Sequence, residues 1–258
     1  MRATERLRHA VYSLYYAARS LNYASADGYG YPRKKTVGGV SFRSYEPYNL
    51  HGNDYLLHEL LGRTDADDVF YDVGTNVGVY SCAAAAAGAD VHGFEPNPDA
   101  REKAHKNFDA NGFGCVLHPF ALCDADGAST FHVSSYPEVS SLRREKATVS
   151  GGRVVRTFEA ETRRLDTAIK DLGLPRPDHL KVDVEGAGVD VLCGAGEVLA
   201  DARPTVYFEP HGNAAEAREV LKEKGYSIEK TGNRDDLTEF SQDTAERTQR
   251  MATATEEQ

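Results

Sequence analysis

Leu7, Val11, Leu14, Tyr15, Ala18 and Leu21 recur at helical spacing, so an amphipathic helix is predicted from about Glu5 to Leu21. Turn residues follow at Tyr29-Gly30-Tyr31-Pro32 and Gly38-Gly39, and Val40 to Tyr45 alternates in the manner of a strand, which together predict a small hairpin. A helix from His51 to Leu61 should lead into the first core strand, the apolar, β-forming run Val69 to Val73. Five consecutive alanines, Ala83 to Ala87, lie in a predicted helix from Val79 to Ala87 that stops at Gly88. A second strand closes at Glu95, and Asn97-Pro98-Asp99 supplies an N-cap, a first-turn proline and an acid for the next helix. Beyond it the pattern predicts a strand from Cys115 to Cys123, a hairpin excursion around Ala128 to Val133 and a polar, mobile substrate loop from Ser134 to Gly152. Further strands are predicted at Leu180 to Val184 and Val206 to Glu209. Residues 231 to 258 are rich in Thr, Gln, Asp and Glu, and a mostly disordered tail is expected there. The chain thus divides into an arm (1–55), a core domain (56–230) and a tail (231–258).

Strand, glycine turn, helix and strand between Val69 and Glu95 make a βαβ unit. Its turn reads Asp72-x-Gly74-x-Asn76-x-Gly78, and Glu95 follows Asp72 by 23 positions, roughly where such folds place the acid that accepts from ribose hydroxyls. A pyrophosphate needs G-x-G-x-x-G, which is absent. An acidic turn with two glycines suits a nucleoside cofactor that has no phosphate and carries cationic groups, as S-adenosylmethionine does. Ligands of open α/β sheets bind outside the carboxyl ends of the strands, so Asp72, Glu95, Asp183, Glu185, Glu209 and His211 should converge on one crevice.

The motifs Tyr71-Asp72-Val73-Gly74-Thr75-Asn76-Val77-Gly78, Gly93-Phe94-Glu95-Pro96-Asn97-Pro98, Phe120-Ala121-Leu122-Cys123-Asp124, Ser140-Ser141-Leu142, Arg164-Leu165-Asp166, Leu180-Lys181-Val182-Asp183-Val184-Glu185-Gly186-Ala187 and Tyr207-Phe208-Glu209-Pro210-His211 occur in this order. On these, the sequence resembles the FkbM-family methyltransferases. The resemblance implies an α/β fold with a Rossmann-like class I methyltransferase sheet, mostly parallel with an antiparallel last strand, preceded by the N-terminal helix and hairpin. It implies S-adenosylmethionine as cofactor, held by Asp72, Gly74, Asn76, Gly78, Glu95, Asp124 and Asp183, with Asp124 accepting from the adenine amino group unless it only makes an Asx turn. Two departures stand out: Thr75 replaces the family's usual alanine, and Gly188 replaces a helix former, which weakens its helix by up to about 1 kcal/mol.

Methyl transfer to oxygen removes a proton from a poor nucleophile, so a base is required. Asp183 and His211 both qualify, with Glu209 beside them. Asp183 is favoured because its strand should neighbour the cofactor strand, whereas His211 has the more convenient ordinary pKa, near 6.5. The plainer alternatives are that Asp183 or Glu185 caps a helix and that Glu209 or His211 satisfies loop amides. Asp183 and Glu209 could take a hard cation, but no spacing compels one, and no metal is expected. His9, His58, His105 and His179 read as solvated. The expected reaction is O-methylation of a hydroxyl, or less readily a carboxylate, of a sugar, glycan or other secondary metabolite. The alternatives are an NAD-type oxidoreductase and a silent glycan- or lipid-head-group-binding module.

Composition narrows the setting. A chain of 258 residues with 40% hydrophobic content can bury one substantial core. No membrane-spanning run or signal-peptide pattern is visible, which makes the cytoplasm the expected location. Cys82, Cys115, Cys123 and Cys193 are widely spaced and read as buried thiols. A net charge of −10 argues against a nucleic-acid partner. Residues 1–35 nonetheless hold seven basic and two acidic side chains, a local +5 that leaves −15 for the rest. The arm is expected either to pack on the domain and roof the crevice or to recognise an anionic or lipid-linked acceptor in peripheral contact with a membrane.

Overall fold

A computed structural model describes residues 3–24, 31–46, 54–231 and 239–242. Helix α1 (Ala3–Ala24) precedes the hairpin β1 (Arg33–Val37) and β2 (Val40–Ser44). Gly38 and Gly39 have φ of +55° and +83°, the two left-handed positions of a tight hairpin turn. Helix α2 (Tyr55–Arg63) begins at Asp54, whose carboxylate caps Leu57 N–H; His51 to Asn53 of the predicted helix lie outside the described residues.

The core alternates β3 (Val69–Val73), α3 (Val79–Ala87), β4 (Asp90–Phe94), α4 (Pro98–Asp109) and β5 (Val116–His118). It continues through β6 (Ala121–Leu122), β7 (Gly127–Ser134), β8 (Val154–Arg163), α5 (Leu165–Leu172), β9 (His179–Val182), α6 (Gly188–Gly194) and α7 (Gly196–Asp201). The last elements are β10 (Thr205–Phe208), α8 (Ala214–Glu223), β11 (Ile228–Thr231) and β12 (Glu239–Gln242). Seven strands form the main sheet in the order β11-β12-β10-β9-β3-β4-β5. The five strands from β10 to β5 are parallel, and β12 runs antiparallel to both β10 and β11. Thr231 of β11 and all of β12 come from the segment expected to be disordered, so five of those residues belong to the sheet; 232–238 and 243–258 lie outside the described residues.

Side chains alternate across the sheet with the period of two that strands impose. Tyr71, Val73, Leu180, Val182, Val206 and Phe208 bury one face under α5 to α8. Phe70, Tyr207 and the α2 leucines Leu56, Leu57 and Leu60 join α3 and the hairpin on the other. Each fully buried leucine contributes about 1.5–3 kcal/mol. Ala83 and Ala84 are fully buried, so the small side chains of α3 let it lie close to the sheet. Gly88, at φ +105°, ends that helix, and its N–H donates to Ala84 and Ala85 carbonyls.

Four expectations need correction. The strand predicted from Cys115 to Cys123 is broken around Pro119, which has no N–H to give a ladder. β5 stays at the edge of the main sheet, whereas β6 pairs with β8 in a second, three-stranded sheet, order β6-β8-β7. His179 is fully buried, its Nε2 2.9 Å from an Asp68 carboxylate oxygen, not solvated. Cys193 is exposed and Cys115 and Cys123 are half-buried, leaving Cys82 as the buried thiol. Gly188 is required by packing: a Cβ there would come within 2.7 Å of the Phe208 ring.

Candidate active site

The carboxyl ends of β3, β4, β9 and β10 open into a cavity of about 280 Å³, walled on its far side by Pro137, Glu138, Ser140, Ser141 and Leu142 from the segment between β7 and β8. Gly74, Asn76, Glu95, Asp183, Glu185, Glu209 and His211 all line it. Gly74 has φ +80°, and a Cβ there would meet the Asp183 carbonyl oxygen at 2.0 Å, so the turn after β3 can pass this close to β9 only as glycine. Asn76 follows at φ +50°, a left-handed conformation that asparagine tolerates.

Glu95 extends β4 into the cavity. Its two carboxylate oxygens accept from Asn76 N–H at 2.9 Å and Asn97 N–H at 2.8 Å, and only 7% of the residue is exposed. Burial pushes its carboxyl up to about 7, against the lowering effect of those two amides. Each oxygen retains a lone pair for a ligand hydroxyl.

Three residues expected at the cofactor do not line this cavity. Asp72 is fully buried beneath the cavity floor. It lies opposite Lys181 in the parallel register of β3 and β9, binding the ammonium at 3.0 Å and accepting from the Ser81 hydroxyl at 2.7 Å. Gly78, at φ +75°, starts α3 where a Cβ would strike the Phe108 ring at 2.6 Å, so it serves the turn and the packing. Asp124 is exposed; its carboxylate takes the Cys123 thiol at 3.3 Å, and its carbonyl takes Arg164. Thr75 donates to the Asp72 carbonyl at 2.7 Å and fills the space over Gly93.

At the far end of the cavity His211 Nε2 lies 2.9 Å from Asp183 Oδ1, and its Nδ1 lies 3.3 Å from Glu185 Oε2. With a carboxylate on each ring nitrogen the imidazole is held doubly protonated: burial opposes the charge, but Asp183, Glu185 and Glu209 push its pKa up to about 9. Burial would raise Asp183, yet Lys181, at 3.4 Å, and His211 hold it well below the usual carboxylate range. Glu209, facing the Asp183 charge and partly buried, is pushed up to about 8 and carries a proton at neutral pH. Ligand atoms of Asp183, Glu209 and His211 fall within 4.8 Å of one another, a spacing a divalent cation would accept. The Lys181 ammonium and the His211 ring supply positive charge at that point. Lys146 and Ser141 complete the wall, donating to the His211 and Glu185 carbonyls at 2.5 Å each.

Lys181 stands inside the Leu180 to Ala187 motif and has no role assigned from spacing. A lysine between Leu180 and Val182 in a buried parallel strand was itself the signal, since such a charge requires a partner.

Residues 72–228 match the methyltransferase FkbM domain, more than half of the chain. The chain belongs to the FkbM methyltransferase family. Every cavity-lining residue of this FkbM methyltransferase, from Val73 to His211, falls inside the matched segment, whereas α1 and the hairpin lie outside it. The chain is 28% identical over 210 residues to the hexuronic acid methyltransferase AglP of Haloferax volcanii, covering 80% of this chain and 83% of that protein. It is 30% identical over 149 residues to the 2-O-methyltransferase NoeI of Sinorhizobium fredii, covering 53% and 61%. Among solved structures, an FkbM methyltransferase from Methylobacillus flagellatus aligns with a TM-score of 0.49 at 13% identity, covering 71% of this chain and 45% of that one.

Proposed function

We propose that this methyltransferase transfers the methyl group of S-adenosylmethionine to a hydroxyl of a sugar or glycan. The observation that carries the reading is the arrangement of one cavity with a nucleoside-suited acid, Glu95, at one end and the Asp183–His211–Glu209 cluster at the other. Glu95 with Gly74 and Asn76 would hold the nucleoside part of the cofactor, whose sulfonium supplies an electrophilic methyl group. Clustered acids suit the cationic groups of the cofactor. AglP and NoeI, named for a hexuronic acid and for 2-O-methylation, support a sugar as the acceptor class.

S-adenosylmethionine bound there would supply the methyl carbon, leaving as S-adenosylhomocysteine, and Asp183 would take the proton that the acceptor O–H sheds. That proton becomes strongly acidic as the oxygen donates its electrons, so a carboxylate of low pKa suffices as base. His211 has both ring nitrogens committed to carboxylates and serves to orient Asp183, while protonated Glu209 can donate to an acceptor oxygen. Positioning supplies much of the acceleration.

The test is transfer of labelled methyl from S-adenosylmethionine to a panel of uronic acids, neutral hexoses and short glycans. Wild-type protein should label at least one sugar, Asp183→Asn should lose about a hundredfold or more in kcat, and activity should survive a chelator. Cofactor binding without any transfer would leave a silent binding module. Loss with the chelator and recovery with magnesium would put a cation among Asp183, Glu209 and His211.

A further inference from the structure

Leu7, Leu14 and Leu21 recur every seven residues, and so do Ala10, Ala17 and Ala24, three positions after each leucine. All six lie within α1. A strict seven-residue repeat holds one stripe of a helix against a second helix, and alternating large and small side chains let two backbones come close. Yet no helix covers the described part of this stripe: Leu14 and Leu21 are each 71% exposed, Val11 is 58% exposed, and Ala17, Ala18 and Ala24 are exposed too. These three account for three of the nine large apolar side chains exposed among the described residues, so the exposure is a patch and not scatter. The opposite face of α1 is the one that docks on the domain, where Arg19 and Tyr23 are buried and bond to Glu46 at 2.8 Å each.

We propose that this stripe is an interface with a second copy of the chain, the two α1 helices packing antiparallel with Leu7 of each opposite Leu21 of the other. Charge decides the partner and the direction. The first turns of α1 carry Arg6 and Arg8 against Glu5, Arg2 comes just before the helix in the sequence, and the chain beyond residue 35 carries −15. Antiparallel pairing sets those arginines beside the negative end of the partner helix and its acidic body; parallel pairing would set them against each other. A 22-residue helix is about 33 Å long and about 10 Å wide, so the seam covers about 300 Å² on each copy, less than the roughly 800 Å² of a standard interface. The dimer is accordingly weak and concentration-dependent.

Sedimentation equilibrium of the full chain from about 1 to about 100 μM, the range suited to a small interface, tests it without requiring turnover. Wild type should shift toward twice the monomer mass, Leu14→Glu with Leu21→Glu should remain monomeric, and Val155→Glu, an exposed control on β8, should behave as wild type. In a Cys193→Ser background, Leu7→Cys mixed with Leu21→Cys should cross-link under diamide more than either alone. A monomer at every concentration, a dimer indifferent to the α1 substitutions, or stronger Leu7→Cys self-linking would overturn the proposal. So would capture of monomeric wild type, but not of the double variant, by phosphatidylserine vesicles.

Discussion

Two single residues set how the proposed chemistry responds to pH. Glu95 sits near 7 because it is buried, and ribose hydroxyls bond its ionised form more strongly than its neutral form. Below pH 7 cofactor binding favours loss of that proton, so affinity should fall with pH between 7 and 5, by at most about tenfold per pH unit, and level off above pH 8. Calorimetric titration of Glu95→Gln should show weaker binding that no longer varies with pH; a flat wild-type profile would remove Glu95 from the cofactor. His211 gives the opposite slope. Its imidazolium orients Asp183, and that charge is lost as pH rises through about 9, while Glu209 loses its proton near 8. The values belong to the cluster as a whole. With saturating cofactor, kcat/KM for the acceptor should hold from pH 6 to 7.5 and fall on the alkaline side. A rate that climbs through pH 9 would make neutral His211 the base instead.

Elements show what was legible in the sequence and what was not. The strand Val69–Val73, the helix Val79–Ala87 with its Gly88 stop and the Asn97-Pro98 start of α4 follow from local rules, because propensity, caps and burial agree there. β12 was illegible: its pairing with β10 and β11 is made by residues distant in sequence, and nothing in a polar tail announces it. β8, ten residues long, hid in a charged stretch because one of its faces is open to water. At the site the glycine turn and Glu95 could be placed from spacing alone. Asp72 could not, because its partner arrives from β9, 109 residues later. That pairing ties β3 to β9 at the cavity floor, with Asp72 fully buried and Lys181 2% exposed. Lys181→Met leaves the buried Asp72 carboxylate with the Ser81 hydroxyl but no counter-charge and should destabilise the protein by about 3–5 kcal/mol in urea titrations. Adding Asp72→Leu should recover much of that loss, which a merely local packing defect at position 181 would not allow.

Across the whole molecule, α1 links pieces that the sheet does not hold together. Arg19, 3% exposed, pairs with Glu46 beyond the hairpin at 2.8 Å and with Glu138 on the cavity wall. Tyr16 donates to the same Glu138 at 2.6 Å and stacks on Tyr136 at 5.4 Å between centroids, while Tyr23 bonds Asn107 of α4. The wall that faces the proposed acceptor is therefore braced by a helix outside the family-matched segment, whereas Glu95, Gly74 and Asn76 stand just after β4 and β3 of the main sheet. Arg19→Met keeps the bulk but takes the guanidinium from buried Glu46 and leaves Glu138 only the Tyr16 hydroxyl, so α1 should loosen and the wall with it. The two substrates should then separate in kinetics: acceptor KM should rise about tenfold, roughly the 1.4 kcal/mol by which one misplaced contact weakens binding, with cofactor affinity unchanged. Arg19→Lys should recover part of the acceptor KM, because the charge survives although the forked geometry does not. Equal losses for both substrates would mean that α1 supports the fold at large and has no particular hold on the acceptor wall.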